Sequence, residues 1–319
     1  MNILITGITG LFGSQLAREF SQLGSIHGLK KETSSLDLLA DINFHIEWHQ
    51  GELSNSDSLL DALEGIDLVI HAAGLVSFSS DDKDRLFEVN SAGTTNLVNA
   101  MLITGVNKLV HVSSVAAIGR IPELTAINED VKWIESPLNT EYAISKYWAE
   151  LEAWRGEQEG LNLIVVNPSV LLGKSRYSGS SSAIYSYVLK ENKFYPKGDL
   201  NYIDVRDAAK ITRLLVEKQA WGQRYILNRE RISFQKFFGE IAAAFGKKAP
   251  SIPLSGWQVT LFSGIVTILR MFGWKEIPLN RKSAMLSQQK IFFDNTKIQE
   301  LLDYRYFSLQ ESLDWAKSP

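Results

Sequence analysis

Two residues into the chain, an apolar β-rich run, Ile3-Leu4-Ile5-Thr6, meets three evenly spaced glycines, Gly7-x-x-Gly10-x-x-Gly13. An amphipathic stretch over 12–23 follows at once, with Leu16, Ala17 and Phe20 on one face. A strand that feeds a helix through such a loop leaves few folds open. Gly7 permits the tight turn, Gly10 lets an anionic group approach the backbone, and Gly13 lets the helix pack closely on the strand. The start of the helix offers unpaired N–H groups and the positive end of its dipole. Gly7, Gly10, Leu11, Phe12 and Gly13 therefore read as a cradle for a pyrophosphate.

The first half of the chain repeats the alternation. Strand patterns occupy 25–29, 45–49, 67–71, 108–112 and 161–166, and helical patterns occupy 56–63, 84–103 and 139–158. Strands alternating with helices predict βαβ units and a parallel sheet covered on both faces. Residues 116–138 form a long loop between a strand end and a helix, where such sheets bind ligands. The second half is less regular. Residues 202–216 and 224–227 read as a strand-helix-strand return to the sheet, and helices at 179–190 and 234–245 lie outside it.

Composition narrows the function. A net charge of −3 over 319 residues argues against a bulk electrostatic grip on nucleic acid. Apolar content of 45% and charged content of 22% fit a folded globule. The absence of cysteine excludes disulfides, thiolate catalysis and Cys-ligated zinc or iron–sulfur sites, and no metal ligand set stands out. The first residues enter a strand without a basic and apolar leader, so a cytoplasmic location is expected. Residues 249–269 carry no charge. Pro250, Pro253 and a polar stripe through Thr260, Ser263, Gly264, Thr267 and Arg270 argue against a membrane span. A helix buried on the substrate side is preferred there over membrane-surface contact through 257–274.

Further motifs carry chemistry. Lys30 and Lys31 end the second strand where an NAD site usually places a carboxylate, which favours NADP over NAD. Glu52, with the Leu53 amide, can bind an adenine edge. The small residues Ala72, Ala73 and Gly74 let a cofactor lie against backbone, while His71 reads as a packing or capping residue. Tyr142 and Lys146, at i and i+4, share one helix face. The ammonium is expected to lower the tyrosine pKa for acid–base work and to bind a ribose. Ser113-Ser114 ends the fifth strand and offers a hydroxyl to a substrate carbonyl.

With these residues in order, the chain resembles the extended short-chain dehydrogenase/reductase superfamily, in particular the NAD-dependent epimerase/dehydratase proteins. Val89-Asn90, Asn167-Pro168-Ser169, Val205-Arg206-Asp207 and the tail 293–304 extend the match. The resemblance implies an α/β fold, a Rossmann-type doubly wound parallel sheet over 1–167 to which 201–228 partly returns. A smaller, mostly helical substrate-binding subdomain would cover 168–319. It implies Tyr142 as general acid/base, Lys146 as ribose ligand and Ser114 as the catalytic hydroxyl. Asn90, Asn167 and Pro168 would lie at the cofactor. A homodimer through 84–103 and 139–158 follows by analogy.

Two enzyme readings result. A nucleotide-sugar epimerase or dehydratase with tightly bound NAD needs cations for a diphosphate, and no Arg precedes Val205 in 199–205. A reductase or dehydrogenase of a small or apolar carbonyl substrate, similar to dihydroflavonol-reductase-like and 3β-hydroxysteroid-dehydrogenase-like proteins, needs none. The apolar residues Val76, Phe78, Ile118, Leu171 and Leu172, with Tyr202, are expected to line its site, which favours the reductase. A non-catalytic NADP(H)-binding sensor is the third reading, and the retained Tyr142/Lys146 pair argues against it.

Overall fold

The computed structural model describes residues 1–120, 124–174, 180–254 and 281–318. The expected helix at 257–269 lies outside these residues. Strands β1 (Asn2–Thr6), β2 (Ser25–Lys30), β3 (Ile46–Gln50), β4 (Leu68–His71) and β5 (Lys108–Val112) alternate with helices α1 (Leu11–Phe20), α2 (Ser56–Ala62), α3 (Lys83–Leu86) and α4 (Gly93–Thr104). Short β6 (Ala126–Ile127) precedes α5 (Glu141–Gln158) and β7 (Asn162–Pro168). Then come β8 (Val170–Leu172), α6 (Ser180–Leu189), β9 (Phe194–Pro196), β10 (Asp199–Asp204), α7 (Val205–Glu217), β11 (Gln223–Leu227), β12 (Glu230–Ser233) and α8 (Phe234–Phe245). Strands β13 (Ile252–Leu254) and β14 (Phe292–Phe293) and helices Arg281–Leu286, Thr296–Leu302 and Leu309–Lys317 complete the described chain.

The main sheet has seven strands in the order β11-β7-β5-β4-β1-β2-β3, all parallel. The chain winds outward from β1 toward β3 and then returns to build the other half from β4. The strand order therefore reverses beside β1, and α1 begins at that switch point. The period of two along each strand feeds two cores. Ile3 and Ile5 pack with Leu16, Phe20, Ile211 and Leu215 on the α1/α7 face. Leu4, Val69, Leu109 and Leu163 pack with Leu97, Met101 and Ala153 on the α4/α5 face. A third core, with Leu172, Tyr185, Phe237 and Leu313, belongs to the C-terminal elements.

Two expectations need correction. The helix over 84–103 is broken by a π-helical turn, Phe87–Ala92, which carries Asn90. Such widened turns interrupt helices where a side chain has another task, and here Asn90 is bonded to backbone outside the helix. Residues near 202 do not return to the main sheet. Pro168 can donate no further ladder bond, and after Ser169 the chain leaves as β8. Strand β10 then pairs with β8 and β12 in a separate three-stranded sheet. Among the described residues after β7, the main sheet regains β11 alone. The tail is tied to the first half as well: β14 pairs with β6 beyond β5. Among the described residues, no helix is long and apolar enough to cross a membrane.

Candidate active site

The glycine loop has the shape its sequence implies. Gly7 sits at φ +70°, and a Cβ there would come within 2.5 Å of the Ala73 backbone nitrogen. A Cβ on Gly13 would lie 2.1 Å from the Gly7 carbonyl oxygen, so α1 rests directly on the loop. At Gly10 the nearest atom would be the Gly7 oxygen at 3.3 Å. Gly10 caps α1 without a side-chain hydrogen bond, and no acidic residue lies in the first turn. The first intrahelical bond runs from Ser14 N–H to Gly10 oxygen, 2.9 Å, so the N–H groups of Leu11, Phe12 and Gly13 precede the ladder. This open, uncapped helix start fits the diphosphate of a nicotinamide dinucleotide.

Tyr142, Ser114 and Lys146 come together behind that loop. Thr140 caps α5, its side chain accepting from the Ala143 N–H, and so sets the first turn that presents Tyr142. Burial raises the Tyr142 phenol above its ordinary pKa, and the nearby Ser114 hydroxyl opposes that only in part. The i,i+4 spacing from Lys146 predicts the opposite direction. The Lys146 ammonium instead donates to the Val112 carbonyl, 2.8 Å, and desolvation of the phenol outweighs the pull of Ser114. Burial also lowers Lys146 to about 8, with the Glu150 carboxylate pulling it back up. A Cβ on Gly74 would lie 3.2 Å from Asn90 Oδ1 and 3.9 Å from Lys146 Nζ, so a chain segment without side chains passes both groups.

Glu150 is a residue the sequence reading missed. It is 2% exposed and lies one further turn along the Tyr142/Lys146 face, a spacing that could have flagged it. Its carboxylate accepts from Ser113 Oγ at 2.6 Å, Asn167 Nδ2 at 2.8 Å and Trp154 Nε1 at 3.3 Å, and pairs with Arg224 at 2.6 Å. Ser113 is thus committed, whereas Ser114 faces Tyr142. Asn167 is fully buried and also donates to the Ser114 carbonyl, 3.0 Å, so its amide links β7 to the serine loop. Asn90 accepts from Leu75 N–H and donates to the Leu75 carbonyl and to Ser145 Oγ.

His71 takes part in a buried chain of bonds. Thr94 Oγ1 donates to the Asn90 carbonyl, 2.6 Å, so His71 Nε2 must donate to Thr94, 3.0 Å. Its Nδ1 then accepts from Thr6 Oγ1, 2.7 Å, which in turn accepts from the Ala73 N–H. Burial first, and then the Lys146 charge, push its pKa down to about 3, so the ring is neutral.

Past the ends of β2 and β3, Lys31 and Glu52 form an exposed ion pair at 2.8 Å, and Lys30 Nζ lies 5.8 Å from the Trp48 ring centroid. Leu53 packs beneath α4, where a Cβ on Gly93 would meet its side chain at 2.9 Å. On the substrate side, Phe78 meets Tyr142 edge-on with ring centroids 6.0 Å apart, and Phe78 and Val76 are 39% and 46% exposed. Leu171 is part-buried against the α1/α7 core. Three expected lining residues point elsewhere. Ile118 is fully buried with Ile127, Ile226 and Phe293, under the strap that β14 makes. Leu172 belongs to the C-terminal core. Tyr202 is fully buried there too, its hydroxyl bonded to Glu230 and Arg229. Arg120 is a cation the sequence reading passed over. Its Nε has no hydrogen-bond partner among the described residues, and burial lowers its pKa to about 10. In the Val205-Arg206-Asp207 motif, Asp207 accepts from the Tyr304 hydroxyl and the Phe307 N–H, anchoring the tail.

Comparison with known proteins agrees with this geometry. A Synechocystis protein named as a dihydroflavonol 4-reductase is 29% identical over 318 residues, 97% of this chain and 91% of its own. A sterol demethylase protein B of Methylococcus capsulatus is 29% identical over 80% of this chain and 77% of its own. The crystal structure of gox2253 superposes with a TM-score of 0.84 at 29% identity, covering 98% of this chain and 96% of that one. Residues 3–228 match the NAD dependent epimerase/dehydratase family. The chain belongs to that family and is an NAD(P)-dependent enzyme of the extended short-chain dehydrogenase/reductase type.

Proposed function

We propose that the chain is a carbonyl reductase or dehydrogenase of a small, largely apolar substrate, using NADP in preference to NAD. The observation that carries the reading is the Tyr142 phenol set close to the Ser114 hydroxyl and beside the apolar faces of Phe78 and Val76. The bound nicotinamide would supply or accept a hydride. Ser114 would hold the substrate oxygen by a hydrogen bond, and Tyr142 would give that oxygen its phenolic proton in reduction and take it back in oxidation. A raised phenol pKa keeps that proton in place at neutral pH. The Lys146 ammonium would exchange the Val112 carbonyl for the ribose hydroxyls, and the amides of Leu11, Phe12 and Gly13 would hold the diphosphate.

The Arg206 guanidinium is bound by Asp204 at 2.7 Å and stacked within 4.2 Å of the Phe307 and Trp315 rings, and Arg229 is engaged by Tyr202 and Glu230. Arg206 is therefore held away from a substrate diphosphate, which favours the reductase, while Arg229 Nε has no hydrogen-bond partner among the described residues. Arg120, whose Nε has no hydrogen-bond partner among the described residues, supports a second reading in which the substrate carries an anionic group, a nucleotide sugar included.

The test is NADPH oxidation by the purified chain against a panel of aromatic and alicyclic ketones, run beside thermal-shift measurements with nucleotide sugars. Turnover of the ketones supports the first reading. Thermal shifts with nucleotide sugars and no ketone turnover would replace it with the second. The preference for NADP rests on Lys30 and Lys31, and Lys31 is shared with Glu52. Lys31→Ala should weaken NADPH and leave NADH unchanged in fluorescence titrations. A homodimer through α4 and α5 is supported by Ile103, Trp148 and Leu151, exposed at 74%, 49% and 37%. Light scattering that returns a monomer mass would remove it.

A further inference from the structure

We propose that His27, Glu47 and His49 form a binding site for a divalent transition metal of the zinc class at the β2/β3 edge of the main sheet. The placement follows from register. Strand β3 is the edge strand, and it pairs with β2 so that His27 lies beside Glu47 and Leu29 beside His49. Glu47 and His49 are two residues apart on one strand and so share a face with His27. Among the described residues this is the only group of three potential ligands whose donor atoms all lie within 4.8 Å of one another.

The distances suit a metal ion. His27 Nδ1 is 3.0 Å from His49 Nε2 and 3.6 Å from Glu47 Oε2. Ligand atoms bound tetrahedrally at about 2.0–2.1 Å are separated by about 3.3 Å, and the two observed spacings fall on either side of that value. Shifts of a few tenths of an ångström, within the reach of ordinary side-chain torsions, would make them equal. The imidazoles already stack with centroids 5.3 Å apart and planes 23° from parallel. Two imidazoles and one carboxylate favour zinc, nickel or copper over magnesium or calcium, which prefer all-oxygen sets. The three ligands leave a fourth position for water. His27 is 7% exposed, while the Glu47 side chain is 63% exposed, so the site has a firm floor and an open entrance.

The site is independent of the catalytic group. Of the five histidines in the sequence, His71 has both ring nitrogens engaged and His111 is fully buried. Metal uptake through histidine must therefore use His27, His45 or His49. A bound ion would join the edge strand to β2, whose C-terminal end carries Lys30. It should raise the thermal stability of the whole chain, since the ligand set exists in the folded state alone.

The experiment uses the full chain without a histidine tag, treated with chelator and titrated with ZnCl2 by calorimetry. One ion per chain is expected, with a rise in Tm on zinc addition. Glu47→Gln and His49→Gln should each weaken binding by about tenfold or more and abolish the Tm rise, while His45→Gln leaves both unchanged. Glu47 is exposed, so Glu47→Gln is expected to fold, and unaltered NADPH binding checks that it has. No saturable zinc binding, or binding that survives both ligand substitutions, would overturn the proposal. Loss of binding in His45→Gln alone would overturn it equally.

Discussion

Glu150→Ala should damage both the stability of the chain and the electrostatics of its site. The carboxylate is buried at the meeting point of α5, β5, β7 and β11, with Ser113, Asn167, Trp154 and Arg224 bonded to it. Removing one partner of a buried ion pair costs about 3–5 kcal/mol, because the other charge is left uncompensated. The Arg224 side chain retains 24% exposure and can recover some hydration, which places the expected loss at the lower end, about 3 kcal/mol. Urea unfolding measures it directly. The second effect concerns Lys146, whose pKa of about 8 already reflects an upward pull from Glu150. Without that pull the ammonium loses its proton at lower pH. Cofactor affinity, followed by fluorescence between pH 6 and 10 on the order of the Lys146 range, should therefore fall at a lower pH than in the parent chain. A variant within about 1 kcal/mol of the parent, with an unchanged midpoint, would refute both the buried-pair accounting and the coupling to Lys146.

Tyr142→Phe should lower kcat by on the order of 10²–10⁴-fold while leaving the cofactor Kd within about twofold; steady-state kinetics and fluorescence titration separate the two. Gly13→Ala places a Cβ 2.1 Å from the Gly7 carbonyl oxygen. It should abolish cofactor binding and cost about 1–3 kcal/mol in urea unfolding. In the parent chain, cofactor affinity should be flat below about pH 8 and fall above it, since Lys146 is lowered to about 8 and its charged form is the proposed ribose ligand. An affinity that stays level through pH 9, one unit above that value, would contradict the assigned role.

The sheet and the glycine loop were legible because each rests on local pattern: β-branched runs, helical spacing, and glycines where a Cβ would strike backbone. Tyr142 and Lys146 were legible for the same reason, being one helical turn apart. Ile118, Leu172 and Tyr202 were misplaced because their surroundings come from distant chain. The first is enclosed by β14, some 174 residues further along the chain (counting from Ile118 to Phe292), and the others by α8 and the last helix. The His27–Glu47–His49 group was hidden by strand register, which no stretch of either strand reveals alone. The Tyr142 pKa was misjudged because helical spacing reports proximity to Lys146 but not the desolvation that opposes it.

The chain of bonds through His71 runs one way. Each hydrogen along Thr6, His71 and Thr94 is already assigned, ending at the Asn90 carbonyl. The chain ends at an amide oxygen, which hands no proton on, and burial keeps the His71 ring neutral. The row of polar groups beneath the sheet end is therefore an insulator rather than a wire. On the proposed acid/base role of Tyr142, its proton would have to be replaced by another route, past Ser114.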